Sequence, residues 1–597
     1  ALAALAAAGR VEAGARAALD AALVKLRGWE HRVQMRGDEQ THRLPEAPAA
    51  RAAVAALAGE DLSAFDAQVA ALRAEVADRT GALFAEAEPL ASPLGPLVFT
   101  GVEDDPETLR TLSRMGFAEP ARAAADVRGW HHGRIAATRT ARGRELFTRL
   151  APRLLEACAA TGAADAAFAR FGVFFAGLGS GVQVQSLLLA QPRLFELLVR
   201  VLALSPRLAE VLARRPAALD SLLDEGFFAP LDEEGPEAAV AAAAARARGF
   251  EGAMDAVRRA HRDEAFRIGM QALTGAADAP AAGRAFTRLA DACVAALAPA
   301  ALAEVERLGG AFPGEVAVVA LGKFGGREMT AASDLDLMTL YRAAPDAASS
   351  ARGWTAETVY ARFTQRLAAA LSAPTAEGGL YAVDLQLRPS GTAGPVSTSL
   401  AGFGRYHAEE AQTWEALALT RARVAWASSP ALAADAAAAI EVALRASRDP
   451  AAAAADVRDM RALMARERPA KGRWDLKLAP GGLVDIEFAA QHLQIAGAAA
   501  GGPLRTGAAE ALAALRAAGA APQATLDDLL AAWRLQAALQ QLLRLVTDAA
   551  DIDPAREPAG LVALLCAAGG AADLAALERR LAEAQAAAHA AFLAVTA

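Results

Sequence analysis

The stretch EVAVVALGKFGGREMTAASDLDLMTLY, Glu315–Tyr341, decides the fold. VAVVALG is a short continuous apolar run rich in β-branched residues, the signature of a buried strand, and DLDLMTLY alternates with period two. A glycine-rich turn joins them. A helical pattern follows over Thr355–Ser372, then a third strand-like run, LYAVDLQLRP at Leu380–Pro389. The Gly/Pro/Ser/Thr loop SGTAGPVSTS closes the region, which reads as a small α/β island.

Everything around the island has helical spacing. From Ala1 to about Phe84 apolar residues recur at three and four, as expected of two or three packed helices, with the polar segment Trp29–Pro48 interrupting them. A Pro/Gly-punctuated passage starting near Glu88 reads as a linker or domain edge. Arg144–Gly275 is a succession of amphipathic segments broken at Gly177–Gly181, Pro192, Pro206, Pro216 and Pro230. After about Leu400 the chain returns to helices. The expected fold is mostly α with one α/β island, divided at 1–87, 88–235, 236–400 and 401–597. Four units suit 597 residues, at roughly 150 residues each.

Composition removes several classes. With 54% hydrophobic and 22% charged residues the chain is neither disordered nor collagen-like. Cys158, Cys293 and Cys566 are far apart, without zinc spacing, which fits buried thiols in a reducing compartment. The net charge of -8, without a basic block, argues against nucleic acid as the main partner. The longest uncharged stretch, Phe171–Pro192, holds too many glycines, glutamines and serines to span hydrocarbon and reads as loop plus buried helix. No secretory signal is visible, so a cytoplasmic protein is expected, and an opening without Met reads as a cut.

The chemistry concentrates on three aspartates. Side chains two apart on a strand point the same way, so Asp334 and Asp336 share a face against Leu335 and Leu337. The same rule aligns Asp384, Gln386 and Arg388 against Val383, Leu385 and Leu387. Carboxylates about 6.6 Å apart along a strand face can converge on paired Mg²⁺ ions, the arrangement used in phosphoryl transfer. Gly325 and Gly326 follow a strand, where backbone N–H groups can approach a phosphate.

A DxD pair alone is more often solvated surface, and GG is weaker still. Order raises the odds: strand, GG, Ser333, Asp334 and Asp336 opening a strand, a helix, then Asp384. LGKFGG lacks the Lys-Ser/Thr of a P-loop and the GxGxxG of a dinucleotide fold. Gly481 and Gly482 read as the start of a helix with Asp485 and Glu487 in its first turn, and Gly177–Gly181 as a flexible loop. His131, His132 and the other histidines are isolated.

GKFGGREMTAASDLDLMTLY, LSAPTAEGGLYAVDLQLRPSGTAGPVSTSL, TWEALALTRARV and WDLKLAPGGLVDIEF together closely resemble the adenylylating half of bacterial glutamine synthetase adenylyltransferases. The resemblance implies a DNA polymerase β-like nucleotidyltransferase core flanked by helical bundles. WEHRVQMRGDEQTHRLP looks like the closing helices of the family's deadenylylating half, whose own GG/DxD core has no counterpart in these residues. The implied reaction moves AMP from ATP to a tyrosine of glutamine synthetase. Asp334, Asp336 and Asp384 would hold Mg²⁺, with Asp384 helping to remove the phenolic proton. Ser333, Gly325 and Gly326 would hold the triphosphate, and Lys323, Arg388 and Lys477 would offset developing charge. The family also implies regulation by a PII-type signal protein and by glutamine. The alternatives are another protein nucleotidyltransferase, such as a PII uridylyltransferase, against which WDLK and TWExxAL argue, or a non-catalytic helical regulatory fragment.

Overall fold

The computed structural model describes residue 6 and residues 12–37, 41–83, 91–92, 95–99, 104–231, 235–547, 549 and 552–597. The chain forms two compact units, Ala1–Pro93 and Leu94–Ala597. Glu88, where the linker was expected to begin, lies outside the described residues.

The first unit contains helices Ala13–Gly37, Pro48–Leu57 and Leu62–Leu83. They bury Trp29, Val33, Val54, Phe65 and Val69, with the Trp29 and Phe65 rings edge to face at 5.5 Å. One expectation is corrected. The first helix does not stop at Trp29 but runs on to Gly37, because Trp29 and Val33, four apart, continue its apolar face while His31 turns outward.

In the second unit helices succeed one another from Pro106 to Arg246, breaking at the glycines and prolines named above. Ala164–Ala176 ends before Gly177 and Val182–Ala190 follows, so Phe171–Pro192 is loop and helix, with Phe171, Phe174 and Phe175 buried. All three cysteines are free and buried, and burial pushes the Cys158 and Cys293 thiols far above their ordinary range.

The island is a mixed five-stranded sheet. Its strands are β1 (Gly314–Ala320), β2 (Leu335–Ala343), β3 (Val383–Asp384), β4 (Ser397–Ser399) and β5 (Arg423–Ala427). The order is β3-β2-β1-β5, with β4 also pairing β2. β1 runs antiparallel to β2 and β5, whereas β3 and β4 run parallel to β2. Both faces are covered. Val316, Val318 and Ala320 join the core built on helices α1 (Gly249–Thr274), α2 (Ala279–Gly309) and α3 (Ala356–Ser372), while Val319 and Leu321 join the core of the C-terminal helices. Burial on both sides is why β1 reads as an unbroken apolar run.

Two sequence expectations about strands are overturned. The run Leu380–Pro389 is strand only at Val383–Asp384, because the Asp384 carboxylate accepts the Gln386 N–H at 2.7 Å and turns the chain. The chain beyond Leu400 is not wholly helical: β5 returns to the sheet, and β4 lies inside the polar loop. Both are too short, and β4 too polar, to show a period.

The C-terminal helices include α4 (Leu483–Ala498), α5 (Gln523–Val546) and α6 (Leu574–Val595). Gly481 and Gly482 do open a helix, with Asp485 in its first turn and Glu487 just beyond. Asp485 is fully buried and serves three donors: Arg461, the Gly481 N–H at 2.7 Å and His589 Nδ1 at 2.8 Å. Removing one partner of a buried ion pair leaves the other charge uncompensated. Asp485→Ala is therefore expected to destabilise the second unit by about 3–5 kcal/mol, read by chemical denaturation.

Candidate active site

The three aspartates meet at one end of the sheet. The β2–β3 register sets Asp336 directly beside Asp384, and Asp334 stands exposed just before β2. Leu335 and Leu337 turn to the α2–α3 side, while Met338 and Leu340 turn to the C-terminal helices, so alternation sends Asp336 toward the latter. Burial, reinforced by the charges of Asp334 and Asp384, pushes the Asp336 carboxyl up to about 6 against the opposing pull of Lys477 and Arg421. Among the described residues no group of three or more His, Cys, Asp or Glu is arranged to hold a metal ion. The three carboxylates, with half-buried Asp336 disfavoured by the charges of Asp334 and Asp384, nevertheless have the hard-oxygen chemistry that suits a divalent cation such as Mg²⁺.

The glycine loop is built differently from its sequence reading. Gly322, at φ 53°, lies against Asp336, and a Cβ there would overlap the Asp336 Oδ2. Gly325 and Gly326 pack instead on Arg421: a Cβ would strike the Arg421 carbonyl from the first and its guanidinium from the second. Arg421, 5% exposed, pairs with Glu328 and, at 3.1 Å, with Glu487 of α4. Burial alone would ease the proton off Arg421, but Glu328 and Glu487 outweigh it and hold the guanidinium charged. Arg423 donates to the Phe324 and Gly325 carbonyls at 3.0 and 3.2 Å and pairs with Asp291 of α2 at 2.9 Å. Arg327 is left at φ 58°, a strained backbone for a residue with a Cβ.

The remaining candidates separate. Lys323 donates to Gln540 of α5, and burial lowers its ammonium to about 8, with Lys477, Arg421 and Arg544 adding to the effect and Glu487 opposing it. Lys477, in the loop before α4, acts on both Asp336 and Lys323. Ser333 closes a turn, its hydroxyl accepting the Thr330 N–H at 2.9 Å. Arg388 is not brought to the site. With β3 ending at Asp384, its guanidinium is spent on the loop carbonyls of Leu385, Gly394 and Pro395. Sequence reasoning missed Gly322, Arg421 and Gln540, and passed over Glu487. Arg421 stood inside TWEALALTRARV, but only packing reveals that two acids meet it.

Two cavities flank the loop carrying these residues. One, about 240 Å³, is lined by Lys323, Arg327, Glu328, Glu487, Gln540 and Gln541, among others. The other, about 710 Å³, lies between α1, the helix Pro206–Arg214 and Met329–Asp334.

Residues 195–439 match the family model for glutamate-ammonia ligase adenylyltransferase, and residues 1–84 and 457–593 match that for GlnD PII-uridylyltransferase. Over its whole length the chain is 60% identical to the bifunctional glutamine synthetase adenylyltransferase/adenylyl-removing enzyme of Caulobacter vibrioides. The chain is thus similar over its full length to enzymes of this adenylyltransferase family. Similarity to the enzymes of the same description from Agrobacterium fabrum, 42% over the whole chain, and Rhizobium meliloti, 43% over 94% of it, agrees. The chain spans 60%, 61% and 58% of these three relatives. The adenylyltransferase match contains all three aspartates, Lys323 and Arg421, whereas Lys477, Glu487 and Gln540 fall in the other.

Two stability predictions follow from this geometry. The raised pKa of Asp336 is a penalty absent below the unfolded value near 4 and complete above about 6. Asp336→Asn is thus expected to raise the melting temperature of the ligand-free chain at pH 7–8, by an amount equivalent to about 3 kcal/mol at most, and to lose that advantage as pH falls toward 4. Gly322→Ala is expected to lower stability by roughly 1–2 kcal/mol, and by less in an Asp336→Ala background, where the overlap is relieved. A double-mutant cycle by denaturation measures the difference.

Proposed function

We propose that this chain transfers AMP from ATP to a tyrosine of glutamine synthetase, through a DNA polymerase β-like nucleotidyltransferase core. The observation that carries the reading is the Asp336–Asp384 pair, side by side across β2 and β3 with Asp334 adjacent, inside the region that matches the adenylyltransferase family. Asp334, Asp336 and Asp384 would hold Mg²⁺, whose chemistry, when bound, is Lewis-acid activation of the phenol and neutralisation of the α-phosphate.

The chain's own residues do the rest. A tyrosine hydroxyl has a pKa of about 10, so making phenolate at pH 7 costs roughly 4 kcal/mol. The Asp384 carboxylate is the proton acceptor at the phenolic oxygen. Lys323 and Lys477 offset charge on the α-phosphate and the departing pyrophosphate. Gly322 lets the backbone pass close to Asp336, and Ser333, with the Gly325–Gly326 segment, shapes the loop that faces the triphosphate. The bond formed is tyrosine oxygen to α-phosphorus, and the bond broken joins the α-phosphorus to the bridging oxygen that leaves with pyrophosphate.

Residues 1–87 are proposed as the closing helices of a deadenylylating half, supported by the match of residues 1–84 to the same family model as residues 457–593. Residues 88–235 are proposed as linker and regulatory helices, 236–400 as the catalytic domain and 401–597 as the C-terminal helical part. Control by a PII-type protein and by glutamine, in the cytoplasm, belongs to the same proposal.

Incubation with Mg²⁺, α-labelled ATP and glutamine synthetase is expected to label the synthetase on tyrosine. Asp384→Asn should reduce transfer about 10²–10⁴-fold, the loss typical of a general-base group, while leaving the fold intact. No label from folded, unaltered chain would refute the reading, and preferential labelling of a PII protein with UTP would replace it with uridylyl transfer.

A further inference from the structure

The catalytic loop is held from the C-terminal side by two neighbouring amides. Gln540 and Gln541 lie in the last two turns of α5, both nearly buried, at 7% and 6% exposure. Gln540 Oε1 accepts from the Lys323 ammonium, and Gln541 Nε2 donates at 2.7 Å to the Met329 carbonyl. The two contacts bracket Lys323–Met329, within the segment that leads into the aspartates. Gly283 of α2 makes room on the far side, since a Cβ there would sit 3.3 Å from the Gln541 amide nitrogen and 3.5 Å from the Met329 carbonyl. Gln541 Oε1 itself has no partner among the described residues, so the bond to Met329 is what fixes that amide's orientation.

We infer that Gln540 and Gln541 are positioning residues of the nucleotide site, Gln540 by aiming the Lys323 ammonium and Gln541 by fixing the Met329 carbonyl. The inference rests on the nucleotidyl-transfer reading, because it gives Lys323 the phosphate to meet. Its physical basis is the cost of burying an ammonium. An enclosed charge takes up the geometry of whatever acceptor is supplied, and the acceptor supplied to Lys323 is Gln540. A flexible four-carbon stem without that acceptor has many rotamers to lose when phosphate arrives. The consequence concerns the division of the chain: Lys323 lies in the segment matched by the adenylyltransferase family, its orienting amide in residues 457–593. Nucleotide affinity is therefore set partly by a helix outside the sheet.

The test is ATP affinity in the presence of Mg²⁺, by calorimetric titration, alongside melting temperature. Gln540→Leu is expected to weaken ATP binding about tenfold, in line with the net worth of a hydrogen bond to a charged group. Gln540→Glu, which keeps an acceptor in place, should restore affinity to within about threefold. Lys323→Met should weaken binding too, and the double variant Lys323→Met/Gln540→Leu should be no worse than Lys323→Met alone, since Gln540 acts through Lys323. Gln541→Leu should raise the KM for ATP with little change in kcat in the labelling assay.

Unchanged affinity in Gln540→Leu, or additive losses in the double variant, would overturn the inference. So would losses that follow melting temperature alone and are not rescued by Gln540→Glu. Normal ATP binding without transfer to glutamine synthetase would instead count against the acceptor assigned above and leave these outcomes readable.

Discussion

The arrangement depends on one buried cation. Arg421 arrives from the segment leading into β5 and is gripped by Glu328 from the glycine loop and Glu487 from α4. Glu328 in turn accepts the Ala508 N–H at 2.6 Å, at the start of the helix Ala508–Ala517. A single guanidinium thus ties the glycine loop, the edge of the sheet and two C-terminal helices together. Removing either partner would strand a buried charge, which makes the junction costly to break. Gly325 and Gly326 serve the same junction. Their missing Cβ atoms are the space Arg421 occupies.

With the loop so fixed, the carboxylates become the tense part of the molecule. Asp336 is held beside Asp384 by strand pairing and against Gly322 by a left-handed turn, in surroundings that disfavour its charge. Stability is being given up for negative charge concentrated at one point. Lys477 and Arg421 offset it only partly, and both lie on segments distant in sequence from the aspartates.

The glycine doublet shows how the place of a motif can be legible while its packing is not. GG after a strand suggested a phosphate cradle, and the loop does sit at the end of the sheet that carries the aspartates. The glycine that touches one of those carboxylates is Gly322, three residues earlier, and its need for a positive φ has no signature beyond its place after the strand. Arg388 shows the converse. A two-residue period placed it beside Asp384, but an Asx turn ended the strand first and redirected the guanidinium to loop carbonyls.

The sequence by itself determined that an α/β island sits among helices, that β1 is covered on both faces, and that Asp334, Asp336 and Asp384 form one set. Each rests on local periodicity or on order along the chain, which a linear reading can see. Only the tertiary structure decided that β4 and β5 complete the sheet, that Asp336 and Asp384 are register partners, and that Arg421, Glu487 and Gln540 enclose the loop. Those facts depend on contacts between residues from about fifty to more than two hundred apart, whose pairing is set by packing and burial rather than by any spacing.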